Sequence, residues 1–327
     1  MKIVIADANL RQCRSELGLA LPAGSEVVWA DRMADPGLEA AVADADVLVS
    51  GRCPAGIAAA GKALKLVHAA GAGVEKIDIG ALPSGTVVAN TFHHEDSIAE
   101  YVVASAILLR RGFLAQDRAL RTGEWASPAH DPAVPWPEAL SSATVGFIGF
   151  GHIGARAWER LRAFGATGLA VTRRGTTDAA AHGLEWAGAI DDLGALLDRS
   201  DVVVLSAPLT PQTTGIIGAA ELARMGPRSI LINVGRGPLV QERALYEALA
   251  DRGILGAAID VWYAYPDGGN RAAPSALPFH ELPNALLTPH SSGLTRQTFA
   301  GRAADIAANI GRLAAGEPLA NVVAVAP

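Results

Sequence analysis

The chain has 327 residues, half of them apolar and 18% charged, with a formal net charge of −6. That composition excludes a disordered chain, and the negative balance argues against generic nucleic-acid or anionic-membrane partners. Cys13 and Cys53 stand alone, with neither metal-ligand spacing nor a disulfide framework, so a reducing cytoplasm and no metal site are expected.

The N-terminal "MKIVIADANL" reads as a short strand, too brief for a signal-peptide core. Strand-like runs follow in order: "KIVIAD", "EVVWAD", "DVLVSG", "LKLVHAA" and "TVVANT". Ala-rich amphipathic stretches such as "GLEAAVADA" and "AGIAAAGKAL" lie between them. Next, "DSIAEYVVASAILLRRGFLAQDRALRTGEW" reads as one long helix that Asp96 or Ser97 can cap. Its apolar run stops at Arg110 and Arg111, short of a membrane span. A Pro- and Ser-rich loop, "ASPAHDPAVPWPEALSS", leads to a second set: "ATVGFIGFG", "GLAVTRRG", "DVVVLSAP", "SILINVGRG", "GAAIDVW" and "NALLTPH". Helical patterns such as "ARAWERLRAFG" and "RALYEALADRG" separate these, and "RQTFAGRAADIAANIGRLAAG" is a last helix. Short Val/Ile/Leu runs alternating with helices predict an α/β protein with two doubly wound parallel-sheet domains.

In "VGFIGFGHIGARA", Gly149, Gly151 and Gly154 make G-x-G-x-x-G between a predicted strand and a predicted helix, with His152 and Ile153 completing the turn. The first glycine permits the tight turn, the second admits a pyrophosphate to the backbone, and the third lets helix pack on strand. The helix N-terminus then offers free N–H groups to the phosphates. The acid expected about 20 residues on, which would grip the ribose 2′-OH of NAD, is missing. Thr172 ends that strand and Arg173 and Arg174 follow. A guanidinium attracts a 2′-phosphate where a carboxylate repels it, so NADP(H) is the expected cofactor, ahead of NAD(H).

The ordered motifs "GAGVEKIDI", "SIAEYVVASAILL", "VGFIGFGHIG", "APLTPQTTGIIG", "LINVGRGPLV", "AIDVW" and "LTPHSSG" resemble the D-2-hydroxyacid dehydrogenase family over nearly the whole chain. The resemblance implies a flavodoxin-like substrate domain built from both chain ends, residues 1–97 plus 291–327, with a Rossmann cofactor domain, residues 98–290, inserted. It implies an active site in the cleft and a homodimer formed largely through the cofactor domain. Arg236 matches the family's substrate arginine, able to hold a carboxylate and polarise the adjacent carbonyl. His290 matches the general acid/base. The backbone N–H groups of Ala72 and Gly73 match the loop that meets the substrate carboxylate. Pro208, Thr213, Val234, Gly235 and Asp260 fall where the family lines the cofactor. Arg52, after a predicted strand, falls beside the active site, where it can meet an anionic substrate tail or lie solvated. Asn90 matches a position near the cleft and is equally readable as a turn former.

Two places depart from the family. "NTFHHEDSIAE" puts His93, His94 and Glu95 where a Pro/Gly loop is usual, and a solvated or interdomain loop is expected there rather than a metal site. "DVWYAYP" puts Tyr265 where a glutamate usually pairs with the histidine. His290 then lacks the carboxylate that raises such a histidine's pKa, burial would push that pKa lower still, and Tyr265 joins the substrate-side residues. Formate dehydrogenases of the same superfamily also lack the glutamate and share the pattern seen here as "HSSG". Three readings follow: an NADPH-dependent reductase of a small 2-oxo acid, a formate-dehydrogenase-like enzyme that moves no proton, and a non-catalytic NAD(P)-sensing protein.

Overall fold

The chain opens with β1 (Lys2–Ile5), a 3₁₀ turn at Ala8–Cys13 and α1 (Arg14–Ala20). Then come β2 (Glu26–Trp29), α2 (Leu38–Val42), β3 (Val47–Val49), α3 (Ala55–Ala60), β4 (Leu66–His68) and β5 (Val87–Ala89). The middle runs through α4 (Glu95–Arg110), α5 (Phe113–Arg121), β6 (Thr144–Ile148), α6 (His152–Leu161), β7 (Thr167–Thr172) and α7 (Ala179–His182). It continues with β8 (Trp186–Ala189), α8 (Leu193–Arg199), β9 (Val202–Leu205), α9 (Ala219–Met225), β10 (Ile230–Asn233) and α10 (Glu242–Ala250). The end of the chain carries β11 (Gly256–Ile259), β12 (Ala285–Leu287), α11 (Arg296–Ala315) and β13 (Val322–Val325). This computed structural model describes residues 1–30, 35, 37–267 and 269–327. Asp31, at the end of the predicted "EVVWAD" strand, lies outside them.

Two units result, Met1–His94 with Leu294–Pro327, and Glu95–Gly293. The first carries a six-stranded sheet in the order β13-β5-β4-β3-β1-β2, the second a seven-stranded sheet in the order β12-β11-β10-β9-β6-β7-β8. The first is the flavodoxin-like order with one added strand; the second is the Rossmann order extended by one. Both cores follow from strand alternation. In β1, Ile3 and Ile5 pack with Leu17 of α1 and Ile306 and Ile310 of α11, while Val4 packs with Val42 and Ile57 on the opposite face. In β9, Val203 and Leu205 face Leu196, Leu222 and Leu245, whereas Val202 and Val204 face Val102 and Trp158. Central strands are covered on both sides, which is why they read as unbroken apolar runs.

Several sequence expectations change. The predicted long helix is two helices, because Gly112 adopts φ +66 between α4 and α5. That left-handed geometry ends a helix and suits glycine. Asp96 and Ser97 do not cap α4, which already starts at Glu95. Asp96 instead accepts from Arg156 Nε at 2.8 Å and pairs with Arg160. The units therefore divide just before α4, at His94, and again after Gly293, three residues from each boundary drawn from the sequence. β8 and β13 were not foreseen, and β13 pairs antiparallel with β5, so the first sheet is not wholly parallel.

Candidate active site

The expected site residues of the second unit gather at, or in the segments that follow, the carboxyl ends of its strands. The sheet order reverses direction between β6 and β9, the switch point where open α/β sheets hold ligands. Beyond β6, Gly149 has φ +86, and a Cβ there would come within 2.7 Å of Ala207 backbone atoms. A Cβ on Gly154 would stand 2.9 Å from Gly149 O, while one on Gly151 would meet nothing within 4 Å. Two glycines are thus needed for packing, and the third leaves its backbone open to a ligand. α6 starts at His152, and Ala155 N–H makes its helical bond to Gly151 O, so the turn that aims the helix's first amides is the glycine turn itself. His152 is exposed and Ile153 half-buried against the core. The residues present fit a dinucleotide.

At the end of β7, Gly175 N–H bonds Thr172 O at 3.3 Å, making Arg173 and Arg174 the corner residues of a turn. Gly175 has φ +65 and presses on Ala189, so the turn is held against the end of β8. Both arginines are exposed, and Thr172 Oγ1 is buried with no hydrogen-bond partner. After β9, Thr213 Oγ1 donates to Pro208 O at 2.8 Å, fixing that loop. Val234 is buried in the core, and a Cβ on Gly235 would stand 2.9 Å from Ala207 O.

Arg236 follows β10 on a braced loop. Asn233 Nδ2 donates to Arg236 O at 3.1 Å, and Asn233 Oδ1 accepts from Gly235 N–H at 3.2 Å. The next residue, Gly237, sits so close to the β11 loop that a Cβ would fall 2.3 Å from Trp262 O. His290, after β12, has φ +56, a strained value for a non-glycine residue that costs on the order of 1–3 kcal/mol. Asp260 supports it. Its carboxylate, 0% exposed, accepts from Thr288 Oγ1 at 2.7 Å, Ser291 N–H at 2.8 Å, Ser292 N–H at 3.1 Å and the Ser292 hydroxyl. Asp260, expected to line the cofactor, turns its carboxylate to the histidine loop. Thr288 Oγ1 also lies 3.0 Å from the Tyr101 hydroxyl, whose pKa burial pushes up to about 12.

Tyr265 stands beside the histidine, ring centroids 5.6 Å apart and tilted by 50°. Its hydroxyl accepts Trp262 N–H at 3.0 Å, and partial burial raises its pKa. His290 lies in a loop and is exposed. Sequence reasoning missed Trp262, Thr288, Ser292 and Tyr101. The signal for Trp262 was its place in the "AIDVW" motif.

In the first unit, Ala72 and Gly73 follow β4, and their N–H groups find no acceptor among the described residues. Asn90 Nδ2 donates to Ala72 O at 2.8 Å and Thr91 N–H to Gly71 O at 3.2 Å, so Asn90 braces this loop. Arg52, after β3, has an exposed side chain. His93, φ +67, pairs through Nε2 with Asp305 at 2.8 Å. Among the described residues no group of three or more His, Cys, Asp or Glu is placed to hold a metal, and no helix is long and apolar enough to cross a membrane.

Comparison with known proteins agrees with this layout. The family described as D-isomer specific 2-hydroxyacid dehydrogenase, NAD binding domain, matches residues 103–292. A D-3-phosphoglycerate dehydrogenase of Methanocaldococcus jannaschii is 32% identical over 288 residues, 86% of this chain and 52% of that protein. The chain thus spans about half the length of that relative. A glycerate dehydrogenase of Methylorubrum extorquens is 32% identical over 258 residues, 78% of this chain and 77% of the relative. The crystal structure of D-lactate dehydrogenase with NAD+ from Lactobacillus jensenii superposes with a TM-score of 0.78 at 25% identity, covering 99% of this chain and 100% of that one. The chain belongs to the D-isomer specific 2-hydroxyacid dehydrogenase family.

Proposed function

We propose that the protein is an NADPH-dependent reductase of a small 2-oxo acid, or, in the reverse direction, the NADP+-dependent dehydrogenase of the matching D-2-hydroxy acid. The observation that carries this reading is the convergence of Arg236, His290 and the Gly149–Gly154 turn at the carboxyl ends of strands in one sheet. NADPH, held by Gly149, Gly151, the start of α6 and the corner arginines, supplies the hydride when bound. Arg236 binds the substrate carboxylate and polarises the carbonyl. His290 gives its proton to the carbonyl oxygen in reduction and takes it back in oxidation. The free N–H groups of Ala72 and Gly73 bind the carboxylate, and Arg52 favours an anionic tail. Two relatives are named for D-3-phosphoglycerate and glycerate, so three-carbon acids of that type are the first substrates to try.

A homodimer formed through the second unit belongs to the same reading. Trp125 and Trp136 are 61% and 81% exposed, and Phe113 and Leu120 are exposed in the same 113–136 segment. Apolar exposure of that kind supports a protein contact on this segment. Buried, unpaired Cys13 and Cys53 support a reducing compartment, the cytoplasm.

Turnover tests the reading. NADPH is mixed with glyoxylate, pyruvate, hydroxypyruvate and phosphohydroxypyruvate, and NADP+ with formate. Oxidation of NADPH by a 2-oxo acid is the expected result. Activity with formate alone, or tight NADPH binding with no turnover, refutes it.

A further inference from the structure

The segment that leaves β5 is seated on one face of α11. Thr91 is buried, and its hydroxyl donates to Asp305 Oδ2 at 2.6 Å. His93 Nε2 lies 2.8 Å from the same oxygen. Between them, Phe92 O accepts from Arg302 Nε at 2.8 Å. One turn before Asp305, Gly301 leaves a hollow for the His93 ring: a Cβ there would stand 2.6 Å from His93 Cγ and Nδ1. Gly301 and Asp305, four residues apart, share a helix face. One patch of α11 thus holds three successive residues, among them His93 at φ +67, a value uncommon off glycine. The seat extends to the loop after β4. Thr91 N–H donates to Gly71 O at 3.2 Å, and Asn90 Nδ2 to Ala72 O at 2.8 Å. In a planar trans peptide the carbonyl and the next N–H point opposite ways. Fixing Gly71 O therefore fixes the direction of Ala72 N–H, and fixing Ala72 O fixes that of Gly73 N–H.

We propose that Asp305 is a positioning residue for substrate binding: by holding Thr91 it aims the amides of Ala72 and Gly73. The proposal rests on the reading of those two amides as a site for the substrate carboxylate. Asp305 acts through Thr91 and not by touching substrate. Hydrogen bonds weaken steeply as their angle closes, so a small rotation of either peptide plane lowers affinity. What Thr91 needs from residue 305 is an oxygen in the right place, and an amide supplies that as well as a carboxylate does. His93 shares the oxygen, so its ring in the Gly301 hollow and the Thr91 hydroxyl depend on one side chain. The seat also gives His93 a role where the family usually has a Pro/Gly loop: contacts to α11 set the shape of the segment.

The test uses the full chain and four proteins: wild type, Asp305→Asn, Asp305→Ala and Gly301→Ala. The Asp305 side chain is 34% exposed, so truncation leaves no core cavity. The first readout needs no turnover. In 1H–15N spectra of the free protein, the Ala72 and Gly73 amide resonances move in Asp305→Ala and stay close to wild type in Asp305→Asn. The second readout is kinetic, with hydroxypyruvate and NADPH. Asp305→Ala raises KM roughly tenfold while kcat and the NADPH dissociation constant stay within about twofold, and Asp305→Asn recovers most of the loss. Gly301→Ala, which drives a methyl into the His93 ring, raises KM in the same direction although alanine is the better helix former. An unchanged KM in Asp305→Ala, a fall in kcat in place of the rise in KM, an Asn variant no better than Ala, or unmoved Ala72 and Gly73 resonances overturns the positioning role. A separate titration of wild type with hydroxypyruvate in the presence of NADP+ should shift both amides. Amides that do not respond overturn the carboxylate reading itself, and the proposal with it.

Discussion

Arg173 and Arg174 occupy the corner of a turn that Gly175 closes and the end of β8 supports. The turn fixes their backbone beside the glycine cradle and leaves their side chains to solvent. A phosphate arriving there gains a charged hydrogen bond that a hydroxyl does not need. Arg173→Ala should therefore weaken NADPH binding roughly ten- to hundredfold and change NADH binding little, as measured by fluorescence titration. Equal losses for both cofactors would show that the side chain meets some other part of the dinucleotide. The place of each arginine was legible in the sequence because it depends on local order, a strand followed by a turn. The part played by Asp260 was not legible. Its partners Thr288 and Ser292 lie 28 and 32 residues away, and nothing local distinguishes a carboxylate that faces a ligand from one that holds a loop.

Elements carry two further predictions. β4 is pinned to α11 by a buried pair. His68 Nδ1–H donates to Ala69 O at 2.9 Å, which leaves Nε2 to accept from Asn309 Nδ2 at 3.0 Å. Burial lowers the His68 pKa below its ordinary value near 6.5, so the folded state holds it neutral. The unfolded chain takes up a proton that the folded chain resists, so this contribution is intact above pH of about 6.5 and is lost as pH falls below it. Denaturation from pH 7 to 5 should show wild type losing up to about 1 kcal/mol per pH unit more than His68→Asn. Parallel curves would contradict it. The second prediction concerns the Arg236 loop. Gly237→Ala forces a methyl against Trp262 O and should cost about 1–3 kcal/mol in urea denaturation, with activity reduced as the loop shifts. An unchanged midpoint would mean that the two loops part easily. Elements explain where the sequence misled as well. Gly112 inside an apolar 3.6-residue pattern reads as a tolerated glycine until its φ is known. β8, "WAGA", lacks the branched residues that mark a strand, and is held in place by its pairing with β7. The glycine cradle, by contrast, is set by spacing within one strand and one helix, and its form was readable in full.

At the scale of the molecule, each unit places its candidate residues beyond the carboxyl ends of its own parallel strands. On the proposed reading, the exposed tryptophans of residues 113–136 carry the dimer contact of the second unit. Sedimentation at micromolar concentration should find a dimer, and Trp136→Glu should shift it toward monomer. A monomeric wild type would remove that surface from the account. The central claim, hydride passage from NADPH to a 2-oxo acid through Arg236 and His290, is tested most directly by single-turnover labelling. NADPH deuterated at nicotinamide C4 is bound to the enzyme, mixed with hydroxypyruvate, and quenched. The account predicts deuterium on C2 of the product, D configuration at that carbon, and loss of the transfer in His290→Ala. Product without deuterium, L configuration, or undiminished transfer in the variant would contradict it.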